Sequence, residues 1–364
     1  VINLLKHLAA IDRQNEYFLF YRKRPGDASQ LRFCPDVPQF HKVPVPAADF
    51  FYKRYFRVFD RYLLPRAIAR HGIDVFHGPN HYLPPKRKAA QVVTYHDLAE
   101  TKFQLDGPDQ QAVARQVVQR TLDRADYVIA VSRCTRRDAL EFNFDESRVQ
   151  AIYQGANLDG LGPASPRLIE QTKQQFGLEG RYVLFVGSVV ARKNIGVLLR
   201  AYAQLCGRMP ECPPLVLAGA NDTDEYDRLK ALAGTLGISA MLRWTGYLGS
   251  EQLRGLYAGA SLFVLPSLYE GFGMPVLEAM VHGVPAIAAR SGALGEVVAD
   301  AGLLVDPNDD EGLAQAMEKV LSDTALASNL IARGRSHSVS PQFSWRNCAQ
   351  QTLAVYERLA RDGT

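Results

Sequence analysis

Two carboxylates eight positions apart, Glu270 and Glu278, flank the string Gly271-Phe272-Gly273-Met274-Pro275-Val276-Leu277. The apolar run from Ser261 to Pro266 upstream reads as a buried parallel strand. A glycine-containing turn follows. A helix is expected to open near Met274 with Pro275 in its first turn, where a missing N–H costs nothing. Backbone N–H groups around Phe272 to Val276 then point off a helix N-terminus, which suits an anion. Glu270 precedes the helix and Glu278 lies about one turn inside it, both beside the anion site. Carboxylate oxygens accept from neighbouring hydroxyls and grip sugars well. The combination describes a pocket for a nucleotide sugar.

A second group lies upstream. Arg181 to Gly187 reads as a buried strand, followed by Ser188-Val-Val-Ala-Arg192-Lys193-Asn194 and a helix. Gly187 lets backbone approach a ligand, Arg192 offers a fork of donors, and Lys193 supplies a mobile point charge. A basic pair at a helix start opposes the helix dipole, so ligand binding explains it better than structure does. Gly187, Ser188, Arg192 and Lys193 are therefore expected to hold a diphosphate. His96 and Asp97 end the strand expected from Ala90, at the carboxyl edge where open α/β sheets bind ligands. His77 and His81 are weaker candidates for the acceptor side. Arg133 is a candidate contact for an anionic acceptor.

The Glu270-Gly-Phe-Gly to Glu278-Ala-Met280 signature resembles that of the family-four retaining glycosyltransferases, which have the GT-B fold. The resemblance runs from near residue 1 to about residue 360. It implies two Rossmann-like parallel-sheet domains facing a cleft, with a C-terminal helix crossing back to the N-terminal domain. The expected boundaries are 1–160 for an acceptor-side domain, 161–342 for the nucleotide-sugar-binding domain, and 343–364 for the terminal helix. It also implies that His96 faces the donor sugar, that Glu270 holds sugar hydroxyls, and that Glu278 binds the ribose. The Gly246-Tyr247-Leu248 turn would border the base, and Phe272, Gly273, Met274, Pro275 and Val276 would border the phosphates. Relatives often carry an acidic residue and a proline where this chain has Val190 and Ala191. That departure leaves the cations in place and can reshape the turn.

Transfer needs negative charge on the departing diphosphate to be stabilised. Arg192, Lys193 and the helix end can supply this without a metal. No metal and no cofactor beyond the donor substrate are expected. The Arg-Lys-Asn turn, the Ser267-to-Pro275 string and the Phe343-Ser-Trp345 tail resemble bacterial mannosyltransferases of surface polysaccharide and lipopolysaccharide assembly. They favour GDP-mannose over UDP-hexoses as donor, and a glycan or polyprenyl-linked acceptor. Two alternatives stay open: a nucleotide-sugar 2-epimerase on the same fold, and a catalytically silent carbohydrate-binding protein.

At 364 residues the chain suits two domains. With 47% apolar and 22% charged residues it has the composition of a globular protein. A net charge of +4 makes no case for nucleic acid. No apolar run approaches a membrane span. The five scattered cysteines form no CxxC pair and suggest neither a metal site nor a disulfide framework, which favours a reducing, cytoplasmic setting. The segment 50–71 interleaves aromatics with Lys53, Arg54, Arg57, Arg61, Arg66 and Arg70. It reads as a helix suited to an anionic membrane, at the inner face.

The remaining elements position these groups. Asn3 to Ile11 reads as an amphipathic helix, and a doubly wound domain normally opens with a strand and glycine-rich turn before it. Such a piece is expected upstream of Val1, and the resemblance implies that its turn lies near the donor phosphates. Strands are expected at Glu16–Tyr21, near Phe33, at Phe40–Val45, Asp74–Asn80, Asp126–Ser132 and Val149–Gly155. Ser132 should cap a helix. Asp222-Thr-Asp224 superficially matches a metal-binding DxD motif, but capping of the next helix explains it better. His282 should end the Glu278 helix. Residues 156–166 should link the domains.

Overall fold

The computed structural model describes residues 1–23, 34–46, 58–103, 108–156 and 164–362. The chain divides into two compact units, Val1–Gly155 with Pro341–Thr364, and Ala156–Ser340.

The first unit opens with helix α1 (Ile2–Ile11) and strands β1 (Tyr17–Lys23) and β2 (Phe40–Pro46), which pair in parallel. Tyr17 and Phe40 are register partners, and their rings stack at 4.6 Å. Helix α2 (Leu64–Arg70) leads to β3 (Val75–Gly78) and β4 (Ala90–Tyr95). After α3 (Ala99–Lys102) and α4 (Pro108–Leu122) come β5 (Tyr127–Ala130), α5 (Arg133–Leu140) and β6 (Val149–Ala151). Strands β3-β4-β5-β6 form a second all-parallel sheet. A cavity of about 1060 Å³ is lined on one side by β1 and on another by β3, with Leu4, Leu5 and Leu8 of α1.

The second unit holds α6 (Pro166–Gln175), β7 (Val183–Val186), α7 (Ile195–Arg208), β8 (Leu215–Ala218), α8 (Asp224–Thr235) and β9 (Leu242–Gly246). Then follow α9 (Ser250–Gly259), β10 (Leu262–Leu265), α10 (Met274–Val281), β11 (Ala286–Ala289), α11 (Leu294–Val298) and β12 (Leu303–Val305). Helices α12 (Asp310–Ser322) and α13 (Thr324–Ser338) complete it. Its six parallel strands run in the order β12-β11-β10-β7-β8-β9. The chain builds outward from β7, then returns to the other side of it with β10. The loops after these two strands therefore diverge at a topological switch point, where open α/β sheets form their binding crevice. Strands β10 and β11 are fully buried, which explains their continuous apolar runs.

The last helix, α14 (Trp345–Asp362), belongs to the first unit. Cys348, Val355 and Leu359 bury against Val92, Tyr127, Ile129 and Ile152, and Ala349 packs with Leu8 and Phe40. The chain leaves this unit at Gly155 and re-enters it at Pro341, and Gly155 meets the start of α14 at Trp345. A Cβ on Gly155 would lie 2.3 Å from the Trp345 nitrogen, so only glycine fits.

Three sequence expectations need correction or limits. Cys206 and Cys212 are joined in a disulfide, their Cα atoms 5.1 Å apart, because the end of α7 folds back toward β8. The inference from unpaired thiols to a reducing setting therefore loses its premise. Cys34, Cys134 and Cys348 are buried. The N-cap of α8 is Thr223 and it makes no side-chain cap bond. Its hydroxyl instead donates to the Val189 carbonyl at 2.7 Å, so the Asp222-Thr-Asp224 stretch starts the helix without capping it. The segment 50–71 is described only from residue 58, as a turn of π-helix over Phe59–Leu63 running into α2; its earlier residues, the Phe33 strand and most of the 156–166 linker lie outside the described residues. Among the described residues, no helix is long and apolar enough to cross a membrane.

Candidate active site

The loops after β7 and β10 bring Arg192, Lys193 and Glu270 together. After β7 the chain makes a short 3₁₀ turn at Ala191–Lys193. After β10 it runs through Pro266 to Gly273 before α10 opens. Lys193 Nζ donates to Glu270 Oε1 at 2.5 Å, and Arg192 Nη1 donates to Oε2 at 3.3 Å. Arg192 Nη1 also reaches the Tyr269 carbonyl at 3.2 Å. Lys193 and Glu270 are both buried. A buried carboxylate holding two cations compensates charge that would otherwise be expensive to bury.

Backbone contacts fix these loops. Leu268 N–H donates to the Arg192 carbonyl at 2.8 Å. The Gly187 and Gly219 backbones pass so closely that a Cβ on Gly219 would lie 2.0 Å from the Gly187 oxygen. Ser188 is exposed beside this crossing, and Val189 N–H donates to Ala220 O at 2.8 Å. Asn194 has a left-handed backbone, φ +56°. Its amide nitrogen donates to the carbonyls of Pro266 at 3.1 Å and Pro307 at 2.7 Å. That ties the cationic turn to the segment leading to Glu270. Asn194 has no role in the sequence reading; its signal was an Asn between a basic pair and a helix, where left-handed backbone is common.

Helix α10 opens as expected, with Gly273 as N-cap at φ +102° and Pro275 in the first turn. The Val276 N–H donates back to Gly273 O at 3.0 Å, so it is not among the outward-pointing donors. Phe272 and Gly273 are buried, and Met274 and Pro275 are half-buried. Glu278, inside α10, accepts from the Tyr257 hydroxyl at 3.0 Å. Burial pushes its carboxyl up to about 7, against the downward pull of that hydroxyl. The Tyr257 ring stacks in turn on His282, the C-cap of α10, with centroids 5.7 Å apart. Tyr257 is a partner that local sequence pattern does not reveal, since it comes from α9. Tyr247 is 85% exposed after β9, and Leu248 follows it half-buried. The Gly246 carbonyl just before them accepts from Gly219 N–H at 3.0 Å.

His96 and Asp97 lie in the first unit, at the carboxyl end of β4. His96 Nε2 contacts the Pro79 carbonyl at 2.9 Å, which requires a proton on Nε2. Nδ1 is then the acceptor for the Gln154 amide at 3.2 Å. The His96 backbone N–H donates to His81 Nε2 at 2.8 Å, so neutral His81 carries its proton on Nδ1. Burial lowers the basicity of all three histidines here, His81 to about 4 and His77 to about 3. His77 bridges Tyr356 of α14, at 2.5 Å, and Thr94, at 2.7 Å. That is a structural position inside the unit. His81 instead lines a cavity of about 490 Å³ with Tyr95, Asp97, Glu100, Thr101 and Val117. Asp97 accepts from Ala99 N–H at 3.1 Å. Ser132 caps α5 as expected, accepting from Thr135 N–H at 2.9 Å, and Arg133 is exposed at the first position of that helix. Among the described residues, no group of three or more His, Cys, Asp or Glu is arranged to hold a metal ion.

Residues 1–159 match the family described as Glycosyltransferase Family 4, and residues 167–337 match Glycosyl transferases group 1. The chain is 35% identical over 288 residues to the O-antigen chain mannosyltransferase B of Escherichia coli, covering 78% of this chain and 74% of that protein. It is 31% identical to the serotype-specific mannosyltransferase WbdA of Escherichia coli over 65% of this chain, and spans only 29% of that longer protein. Among solved structures it resembles the sucrose-phosphate synthase of Thermosynechococcus elongatus, with a TM-score of 0.76 and 27% identity over 98% of this chain and 91% of that one. WaaG, a glycosyltransferase involved in lipopolysaccharide biosynthesis, matches with a TM-score of 0.72 and 19% identity over 97% and 94% of the two chains, a likeness of fold alone. The fold is GT-B.

Proposed function

This chain belongs to the glycosyltransferases of group 1 and family 4, and from that premise we propose that it moves mannose from GDP-mannose to a glycan or polyprenyl-linked acceptor in surface polysaccharide assembly. The names of its mannosyltransferase relatives support the sugar. The observation that carries the reading is the meeting of Arg192, Lys193 and Glu270 at the switch point of the second sheet.

In this reading the bond between C1 of the sugar and the β-phosphate oxygen breaks while the acceptor oxygen bonds to C1. The leaving phosphate takes the acceptor's proton on the same face, and configuration is retained. Arg192, Lys193 and the start of α10 stabilise the growing charge on the diphosphate in place of a metal. The Glu270 carboxylate passes from the cations to the sugar hydroxyls as the phosphates arrive. Glu278 accepts from the ribose hydroxyls. UDP-hexoses rank second as donors. The basic, aromatic segment 50–71 would hold the protein at an anionic membrane surface. Liposome binding no stronger than that of a variant with Arg54, Arg57 and Arg61 changed to Ser would exclude this.

The test is nucleotide release from labelled GDP-mannose, with and without a mannose-terminated polyprenyl-linked glycan, and with a chelator. Acceptor-dependent release that survives the chelator is the expected result. A sugar isomer would identify an epimerase, and no product a silent binder. A thermal-shift panel of GDP, UDP and ADP ranks the nucleotides, because a ligand of the folded state raises its apparent stability.

A further inference from the structure

Gly292 lies in the turn between β11 and α11, with φ +52°, a conformation that L side chains rarely adopt. A Cβ there would lie 2.5 Å from the Glu270 carbonyl oxygen and 2.7 Å from the Glu270 nitrogen. Both are backbone atoms, which cannot swing aside as the tip of a side chain can. The residues on either side of Gly292 grip the same segment. Ser291 Oγ donates to the Ser267 carbonyl at 2.5 Å, and Ala293 N–H donates to the Glu270 carbonyl at 2.8 Å. Arg192 also holds this segment, its carbonyl accepting from Leu268 N–H and its guanidinium donating to the Tyr269 carbonyl. Residues 267–270 are thus held by both the Ser291–Ala293 turn and the Arg192 turn. Gly295, three positions on, has nothing within 4 Å of its own Cβ position.

We propose that Gly292 is a positioning residue for Glu270: its bare Cα lets the turn seat against the Glu270 backbone, and any side chain there would drive that carboxylate off its station. The proposal rests on the reading of Glu270 as the group that holds the donor sugar. Gly292 itself touches no substrate.

The experiment compares Gly292→Ala and Gly295→Ala in the full chain. It measures turnover and the calorimetric affinities of GDP and GDP-mannose, or of UDP and UDP-glucose where the thermal-shift panel selects them. Gly292→Ala is expected to lower turnover at least tenfold. It should also cut several-fold the affinity of the sugar nucleotide relative to the bare diphosphate, with the affinity of the diphosphate itself changed less than twofold. Gly295→Ala should leave every value within twofold of the parent. Placed on a Glu270→Ala background, Gly292→Ala should change the affinity ratio no further, because the group it positions is already gone. A further loss there, or a ratio unchanged in the single variant, overturns the proposal. If Gly292→Ala does not fold, Ser291→Ala carries the test, since it loosens the same turn without adding bulk. It should lower turnover and the affinity ratio two- to fivefold, and an unaltered ratio overturns the proposal. Normal turnover of Glu270→Ala alone would instead sink the reading of Glu270, whereas an impaired Glu270→Ala beside a normal Gly292→Ala sinks only this inference.

Discussion

Lys193 Nζ and Glu270 Oε1 lie 2.5 Å apart, in side chains each less than a tenth exposed. The pair joins the loop after β7 to the loop after β10, so the cation proposed for the diphosphate and the carboxylate proposed for the sugar hold each other in one charge-compensated cluster with Arg192.

Substitutions of the two partners should therefore differ in kind. Lys193→Ala leaves Glu270 buried with only Arg192 beside it. The loss of a partner from such a pair costs about 3–5 kcal/mol. The thermal midpoint should fall, and calorimetry should show at least a tenfold weaker affinity for the nucleoside diphosphate. Glu270→Ala leaves both cations without their carboxylate, Lys193 buried among them, so the thermal midpoint should fall here too. This substitution should cut turnover by about a hundredfold or more while the nucleoside diphosphate binds as well as before or better. Normal turnover in Glu270→Ala would show the site to be misplaced.

Glu278 should make nucleotide binding depend on pH. Its carboxyl titrates at about 7 in the folded chain, against an ordinary 4.5, because burial disfavours the charge. The folded state thus binds this proton more tightly than the unfolded chain does. Its contribution to stability is fully present below about pH 4.5 and is lost as pH rises through about 7. Ribose hydroxyls favour the charged carboxylate, so nucleotide affinity should rise between about pH 6 and about pH 8, with proton release on binding. Titration calorimetry in buffers of different ionisation enthalpy measures both effects. Glu278→Gln should flatten the profile; an equally steep profile in that variant would assign the titration elsewhere.

Asn194 offers a test of the framework. Asn194→Gly keeps the left-handed backbone and loses the two bonds to Pro266 and Pro307. Leaving such groups without their donor costs about 1–3 kcal/mol. Asn194→Ala loses the same bonds and adds the cost of left-handed backbone, about 1–2 kcal/mol. Thermal midpoints should fall in the order parent, Gly variant, Ala variant, and turnover should drop about tenfold in both. Equal midpoints for Gly and Ala would refute the strain term.

Much of this architecture is legible in the sequence because local pattern encodes it. Buried parallel strands appear as short apolar runs, so Ser261–Pro266 marks β10 closely. Pro275 marks the start of α10, and Ser132 marks that of α5. What stays hidden is pairing over distance. Lys193 and Glu270 each read as a ligand-binding group, and nothing local says that they meet. The Tyr257 partner of Glu278 comes from a different helix, and the partners of His96 come from Pro79, His81 and Gln154. The Cys206–Cys212 bond depends on how α7 ends, which spacing alone does not specify. The contact of Gly292 with Glu270 stays hidden too, because it depends on a backbone 22 positions away in sequence.

The terminal helix belongs to the unit in which the chain begins, and this has a consequence for biogenesis. Leu8, Ile152 and His77 find Ala349, Cys348 and Tyr356 only after every residue of the other unit has left the ribosome. At translation speeds of ~5–20 residues per second, the nascent first unit waits roughly 10 s or more with an apolar flank uncovered. The second unit has no such wait, since its chain is contiguous. An arrested chain in which a flexible linker replaces Pro341–Thr364 and carries Ser340 clear of the exit tunnel should therefore display a protease-resistant second unit behind a protease-sensitive first one.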